Sequence, residues 1–140
     1  MIEYIVFFGL LALAVLAFLF RPKHEQVLSP AAAQRAKCES PIERRLFDAL
    51  TASGYDVNAQ VRRGSYRIDL ALISYNIAIE CDGKEFHSSP EAKKRDRRKD
   101  AYLRKNGWVV LRFSGRQINK ELPKVVERIE KELKKGQNEK

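Results

Sequence analysis

With 140 residues the chain has room for one globular domain and little else. Its 27 Lys and Arg outnumber 18 Asp and Glu, and a formal net charge of +9 draws polyanions, either nucleic acid or anionic lipid headgroups, without choosing between them. Two cysteines, Cys38 and Cys81, lie far apart with no C-x-x-C spacing, which gives no basis for a structural zinc site or a disulfide framework.

In chain order, the first feature is an uncharged apolar run, Ile5 to Phe20 (IVFFGLLALAVLAFLF), followed directly by Arg21-Pro22-Lys23. Residues 1–20, taken as one helix, would reach about 30 Å, the thickness of a bilayer's hydrocarbon core. No Lys or Arg precedes the run and Ala17-Phe18-Leu19-Phe20 makes a poor cleavage site, so the pattern predicts an uncleaved anchor rather than a signal peptide. All the basic residues follow it, which by the positive-inside rule places a single-pass helix in the inner (plasma) membrane with the remaining chain cytoplasmic.

Residues 21–39, with Pro22, Ser29-Pro30 and an alanine triplet, read as a linker. The domain, residues 40–135, opens at Ser40-Pro41-Ile42-Glu43, a helix start with Ser at the N-cap, Pro at N1 and Glu at N3. Ile42, Leu46, Ala49 and Leu50 line one face, and Ser53-Gly54 ends the helix. Strands are predicted near Val57–Arg62, over Tyr66–Ile73 after an Arg63-Gly64-Ser65 turn, and over Ile77–Cys81. A basic helix follows over Pro90–Lys105, capped by Ser88-x-x-Glu91; Asn106-Gly107 stops it, and Trp108–Phe113 makes a fourth strand with Trp108 and Phe113 in the core. An amphipathic helix runs from Gln117 to about Lys135, leaving 136–140 as a charged tail. The expected fold is α/β, a small mixed sheet flanked by helices in the order αβββαβα.

The chemistry concentrates in Asp69, Glu80-x-Asp82-Gly83-Lys84, His87 and Arg95-Asp96-Arg97-Arg98. Asp69 interrupts an apolar strand and Glu80 ends another, and carboxylates in such places are costly to bury unless a cation neutralises them. If the two strands pair, both carboxylates meet at one end of the sheet, where they could hold a hard divalent cation through oxygen. Such an ion polarises a phosphodiester and lowers the pKa of a bound water.

These residues, with Ile79-Glu80-Cys81-Asp82-Gly83, His87, the run Arg95 to Asp100, and Leu103 through Gly107-Trp108 to Arg112-Phe113, resemble the PD-(D/E)XK nuclease superfamily. Within it the likeness is to very-short-patch-repair-type endonucleases and their bacterial relatives, and it covers about residues 40–118. The resemblance implies a restriction-endonuclease-like core, hydrolysis of DNA phosphodiester bonds with Mg2+ or Mn2+, and Asp69 and Glu80 as metal ligands. Asp82 stands where the superfamily's usual pattern has lysine, so Lys84 or His87 would take the lysine's task and Asp82 could be an extra ligand.

Glu43 is either a helix cap or a further acid of the site. Asp96 shares a helix face with Ala92 and Leu103 and would support His87 or Arg112 from behind. Lys93, Lys94, Arg95, Arg97 and Arg98 are either a solvated face or a phosphate track. The leading expectation is therefore a membrane-anchored endonuclease acting on incoming or transferred DNA. Specificity would then be weak or structure-based, or supplied by a protein partner, and coordinated double-strand cutting would need a homodimer. The alternative is a non-catalytic nucleic-acid-binding or membrane-surface adaptor with the same fold.

Overall fold

The computed structural model describes residues 1–19, 28–83 and 89–138. Helix α1 covers Ile2–Leu19, and its described side chains, Phe8 and Leu13 among them, are exposed. Eighteen residues reach about 27 Å, less than the roughly 30 Å of a hydrocarbon core. Among the described residues no helix is long and apolar enough to cross a membrane, which overturns the expected single-pass anchor over residues 1–20. The cytoplasmic placement and the link to DNA arriving at a membrane rested on that anchor and fall with it.

The expected linker contains a helix, α2 (Pro30–Ala36), with Ser29 accepting from the Ala32 N–H and Pro30 in the first turn. Polar contacts dock it: Arg35 grips Asp48 through two bonds of 2.6 and 2.8 Å, and Gln34 Oε1 accepts from the Ala59 N–H. Cys38, just beyond, is buried in the core.

From there the order is α3 (Pro41–Ala52), β1 (Asn58–Arg63), β2 (Tyr66–Leu72), a 3-10 turn (Ile73–Tyr75), β3 (Ile77–Asp82), α4 (Pro90–Lys105), β4 (Val109–Ser114), α5 (Gly115–Lys120) and α6 (Leu122–Asn138). The strands form one sheet in sequence order, antiparallel from β1 to β3 and parallel between β3 and β4. That parallel pair needs a crossover, which α4 supplies. Helices α3, α5 and α6 cover one face around Leu46, Leu50, Ile79, Phe113 and Ile129. On the other face Leu103 of α4 meets Ile68, Ala78, Trp108 and Val110.

One helix boundary and one helix cap differ from expectation. The single C-terminal helix is broken at Glu121, because Pro123 has no N–H to continue α5 and suits the first turn of a new helix. Ser89, not Ser88, caps α4, accepting from the Ala92 N–H, which leaves Pro90 in the first turn; Ser88 lies outside the described residues.

The β1–β2 hairpin departs from strict alternation. Ala59, Leu70 and Leu72 pack toward α3, whereas Val61, Ile68 and Ala71 pack toward α4. Residues 59 and 61, like 68 and 70, should share a face in a regular strand. The switch falls at Gln60, held at a left-handed φ of 55°, and at Asp69, which the register sets opposite it. The distal half of the hairpin thereby turns onto α4, where Tyr66 meets Tyr102 (5.2 Å between ring centres) and Arg63 lies over Trp108. Gly64 makes the two-residue turn at φ 58°, and a Cβ there would run into the Tyr102 hydroxyl. Gly64→Ala is expected to cost about 1–2 kcal/mol from the backbone alone, with a further penalty from displacing Tyr102, measured as a lower urea midpoint.

Candidate active site

The antiparallel β2–β3 register runs from Leu72↔Ile77 to Leu70↔Ile79, and its continuation sets Asp69 against Glu80. There the ladder stops and the Asp69 carboxylate accepts the Cys81 N–H at 2.8 Å, a side chain standing in for a strand carbonyl. Both acids predicted to meet at the sheet's end are thus brought together. Burial pushes the Asp69 carboxyl above the ordinary carboxylate range, with the Cys81 N–H and Lys99 opposing and Glu43 and Asp82 reinforcing the shift.

Glu80 is 4% exposed. Its β3 face is that of Ala78, toward α4, and Lys99 of α4 ion-pairs with its Oε2. The other oxygen, Oε1, is buried and has no hydrogen-bond partner among the described residues. Burial, then the neighbouring Asp69 charge, pushes the Glu80 carboxyl up to about 7, although Lys99 and Arg112 pull the other way.

Glu43 sits at the start of α3, buried, and serves as a cap. Its Oε1 accepts from the Ser40 hydroxyl (2.8 Å), and its Oε2 from the Glu39 N–H (2.9 Å) and from Gln60 Nε2 (2.8 Å). Both oxygens are therefore engaged, and Glu43 reaches the site as a nearby charge on Asp69 and as the anchor of Gln60. Gln60 Oε1 is, like Glu80 Oε1, a buried acceptor without a partner. A left-handed non-glycine residue with an unsatisfied amide oxygen, lying opposite Asp69, is the sort of strain that concentrates at functional sites.

Asp82 ends β3 exposed and drawn toward Arg112 at 3.3 Å. Arg112, beside Glu80 in the parallel register, is itself held by Asp100 at 2.7 and 3.2 Å. Asp100 and, at its edge, Asp82, not Asp96, are thus the acids on Arg112. Asp96, half-buried, lines an open hollow of about 310 Å3 with Asp82, Lys93, Arg97, Asp100 and Arg112. Two larger hollows, of about 490 and 570 Å3, lie away from these carboxylates. Lys84 and His87 lie outside the described residues.

Lys93, Lys94, Arg95, Arg97 and Arg98 are all exposed on α4, Lys93 and Arg97 beside the hollow that Asp96 lines. The inward stripe of that helix is Ala92, Asp96, Lys99, Asp100 and Leu103. Sequence reasoning missed three residues of this arrangement, Lys99, Asp100 and Gln60. The first two were legible: both fall on the helical row that runs to Leu103. Gln60 left no signal, since a positive φ at glutamine is not encoded in its type.

Among the described residues no three His, Cys, Asp or Glu side chains gather closely enough to hold a metal ion by themselves. Mg2+ does not require three: it binds through one or two carboxylates and completes its shell with water and substrate phosphate. The free Glu80 Oε1 beside Asp69 fits that demand.

Comparison with known proteins supports the fold. The catalytic domain of homing endonuclease I-Bth0305I superposes with a TM-score of 0.60 at 23% identity, covering 69% of this chain and 97% of that one. An uncharacterized protein of Haemophilus influenzae is 31% identical over 94 residues, 65% of this chain and 77% of its own length. The uncharacterized protein YcjD of Escherichia coli is 34% identical over 94 residues, 65% and 78% respectively. Residues 42–133, from the first turn of α3 into α6, match the family model REase_MTES_1575, and the chain belongs to that restriction-endonuclease-like family.

Proposed function

We propose that this protein is a divalent-metal-dependent DNA endonuclease whose site is the Asp69/Glu80 pair. The observation that carries this reading is the buried Glu80 Oε1, without a partner among the described residues, beside Asp69 at the end of two paired strands. A buried acceptor left open costs about 1–3 kcal/mol, which a protein keeps when something else binds there. Mg2+ or Mn2+ bound at this point would supply Lewis-acid polarisation of the phosphodiester and activation of a water.

The chain's own residues do the rest. Asp69 and Glu80 offer the oxygens, and the Cys81 N–H fixes the Asp69 carboxylate in place. Asp100 holds Arg112 next to Glu80 and Asp82, so a cationic group flanks the place where phosphate charge would grow. Lys84 or His87, as the resemblance implies, is the group to orient the attacking water or to offset charge on the phosphorane.

The test is nicking of supercoiled plasmid by the full chain with Mg2+, Mn2+ or EDTA. Cutting that EDTA stops supports the reading; DNA binding without cutting under every metal would sink it in favour of a binding module. The exposed row of α4 is expected to track phosphates. Arg97→Ala and Lys93→Ala should each weaken DNA binding uniformly across sequences and lower the slope of log K against log salt by about 1. Unchanged slopes in both variants would return that row to a merely solvated face.

A further inference from the structure

Lys99 has only 14% of its side chain exposed, and its partner Glu80 only 5%. It lies on the inward stripe of α4, one turn before Leu103, in a row where an apolar residue would pack without an ionic cost. Burying an ion pair adds little or nothing to stability over a hydrophobic pair of the same shape, so packing does not account for a lysine here. The arrangement of its contact does: the ammonium takes Oε2 of Glu80 and leaves Oε1 buried and open.

Resting on the metal-dependent reading above, we propose that Lys99 is a positioning residue for Glu80. By binding one carboxylate oxygen it presents the other to the divalent cation. The cation-bearing helix α4 and the carboxylate-bearing strand β3 are thereby tied at the one point where the metal would bind. Asp100, next on the same helix, ties α4 to Arg112 of β4, so two consecutive residues of α4 fix the surroundings of Glu80.

The experiment is a Mn2+ titration of the full chain followed by electron paramagnetic resonance, with thermal unfolding alongside, for the wild type, Lys99→Met and Lys99→Arg. Lys99→Met should weaken Mn2+ binding about 10–100-fold, the usual effect of removing a group that orients a metal ligand. Its unfolding midpoint should fall, because the substitution leaves the buried Glu80 carboxylate unpaired, yet leave the chain folded at the titration temperature, and Lys99→Arg should recover both the midpoint and Mn2+ binding to within several-fold. Mn2+ affinity unchanged or tightened in Lys99→Met would overturn the inference, since the ammonium would then be idle or a competitor for the metal. Should Lys99→Met not fold, Lys99→Gln carries the same two outcomes. A wild type that binds no Mn2+ overturns the metal-dependent reading as well; a wild type that binds it, with Lys99→Met equal to it, overturns this inference alone.

Discussion

Asp69→Asn is expected to remove metal-dependent cutting by about 10³-fold or more while leaving the fold intact. Metal polarisation of a phosphodiester contributes several kcal/mol, and each 1.36 kcal/mol is about tenfold in rate. Asparagine keeps an oxygen in the position that accepts the Cys81 N–H, so the end of the β2–β3 pair stays closed. It removes only the charge, which burial already disfavours. Single-turnover nicking at saturating Mg2+, beside thermal unfolding, separates the two effects. Asp82→Asn is the contrast: that carboxylate is exposed and leans on Arg112 at 3.3 Å, so its loss should cost less than about tenfold. If Asp69→Asn cuts within tenfold of the wild type, Asp69 does not hold the metal. Equal and large losses in both variants would move Asp82 into the ligand set instead.

The contrast between these two aspartates shows where the sequence was readable. Asp69 and Glu80 stood out because each is a carboxylate inside an apolar strand, an arrangement that needs a reason. Their meeting depended on β2 and β3 pairing, and the register delivers it. Asp82 had the same spacing cue, two residues beyond Glu80 on the same strand face, yet the parallel neighbour β4 brings Arg112 to it, a pairing no local pattern announces. The strands were legible as apolar runs bounded by turn residues, and α4 by the Asn106-Gly107 that stops it. Helix α2 was not, since it is held by Arg35–Asp48 and Gln34–Ala59 rather than by an apolar stripe. The apolar run of α1 read as a membrane span, and its 18-residue helix falls short of one. The face switch at Gln60 and Asp69 was hidden for a different reason: alternation assumes an unbroken strand, and a single left-handed residue resets it.

The buried Glu80 also predicts how stability should change with pH. Its carboxyl is pushed from the ordinary 4.5 up to about 7 in the folded chain. Below about pH 4.5 it carries a proton in both states, and well above pH 7 in neither. Between those values only the folded state holds the proton, so the folded state binds more protons and stability falls as pH rises through the window, by on the order of 3 kcal/mol. Asp69, raised by burial, adds in the same direction. Asp48, lowered by Arg35, acts below its ordinary 3.8 and does not overlap. In metal-free buffer the urea midpoint should therefore drop between pH 5 and pH 8, and Glu80→Gln should flatten most of that drop. Mg2+ should oppose it, because the ion takes the ionised carboxylate and releases the proton. At about 100 times its dissociation constant it would return roughly 2.7 kcal/mol. Cutting should follow the same proton, rising about tenfold per pH unit below pH 7 at subsaturating Mg2+ and levelling above it. A metal-free midpoint that instead climbs from pH 5 to pH 8 would mean that Lys99 holds Glu80 ionised throughout, and that the ion pair, not the proton, is the resting state of the site.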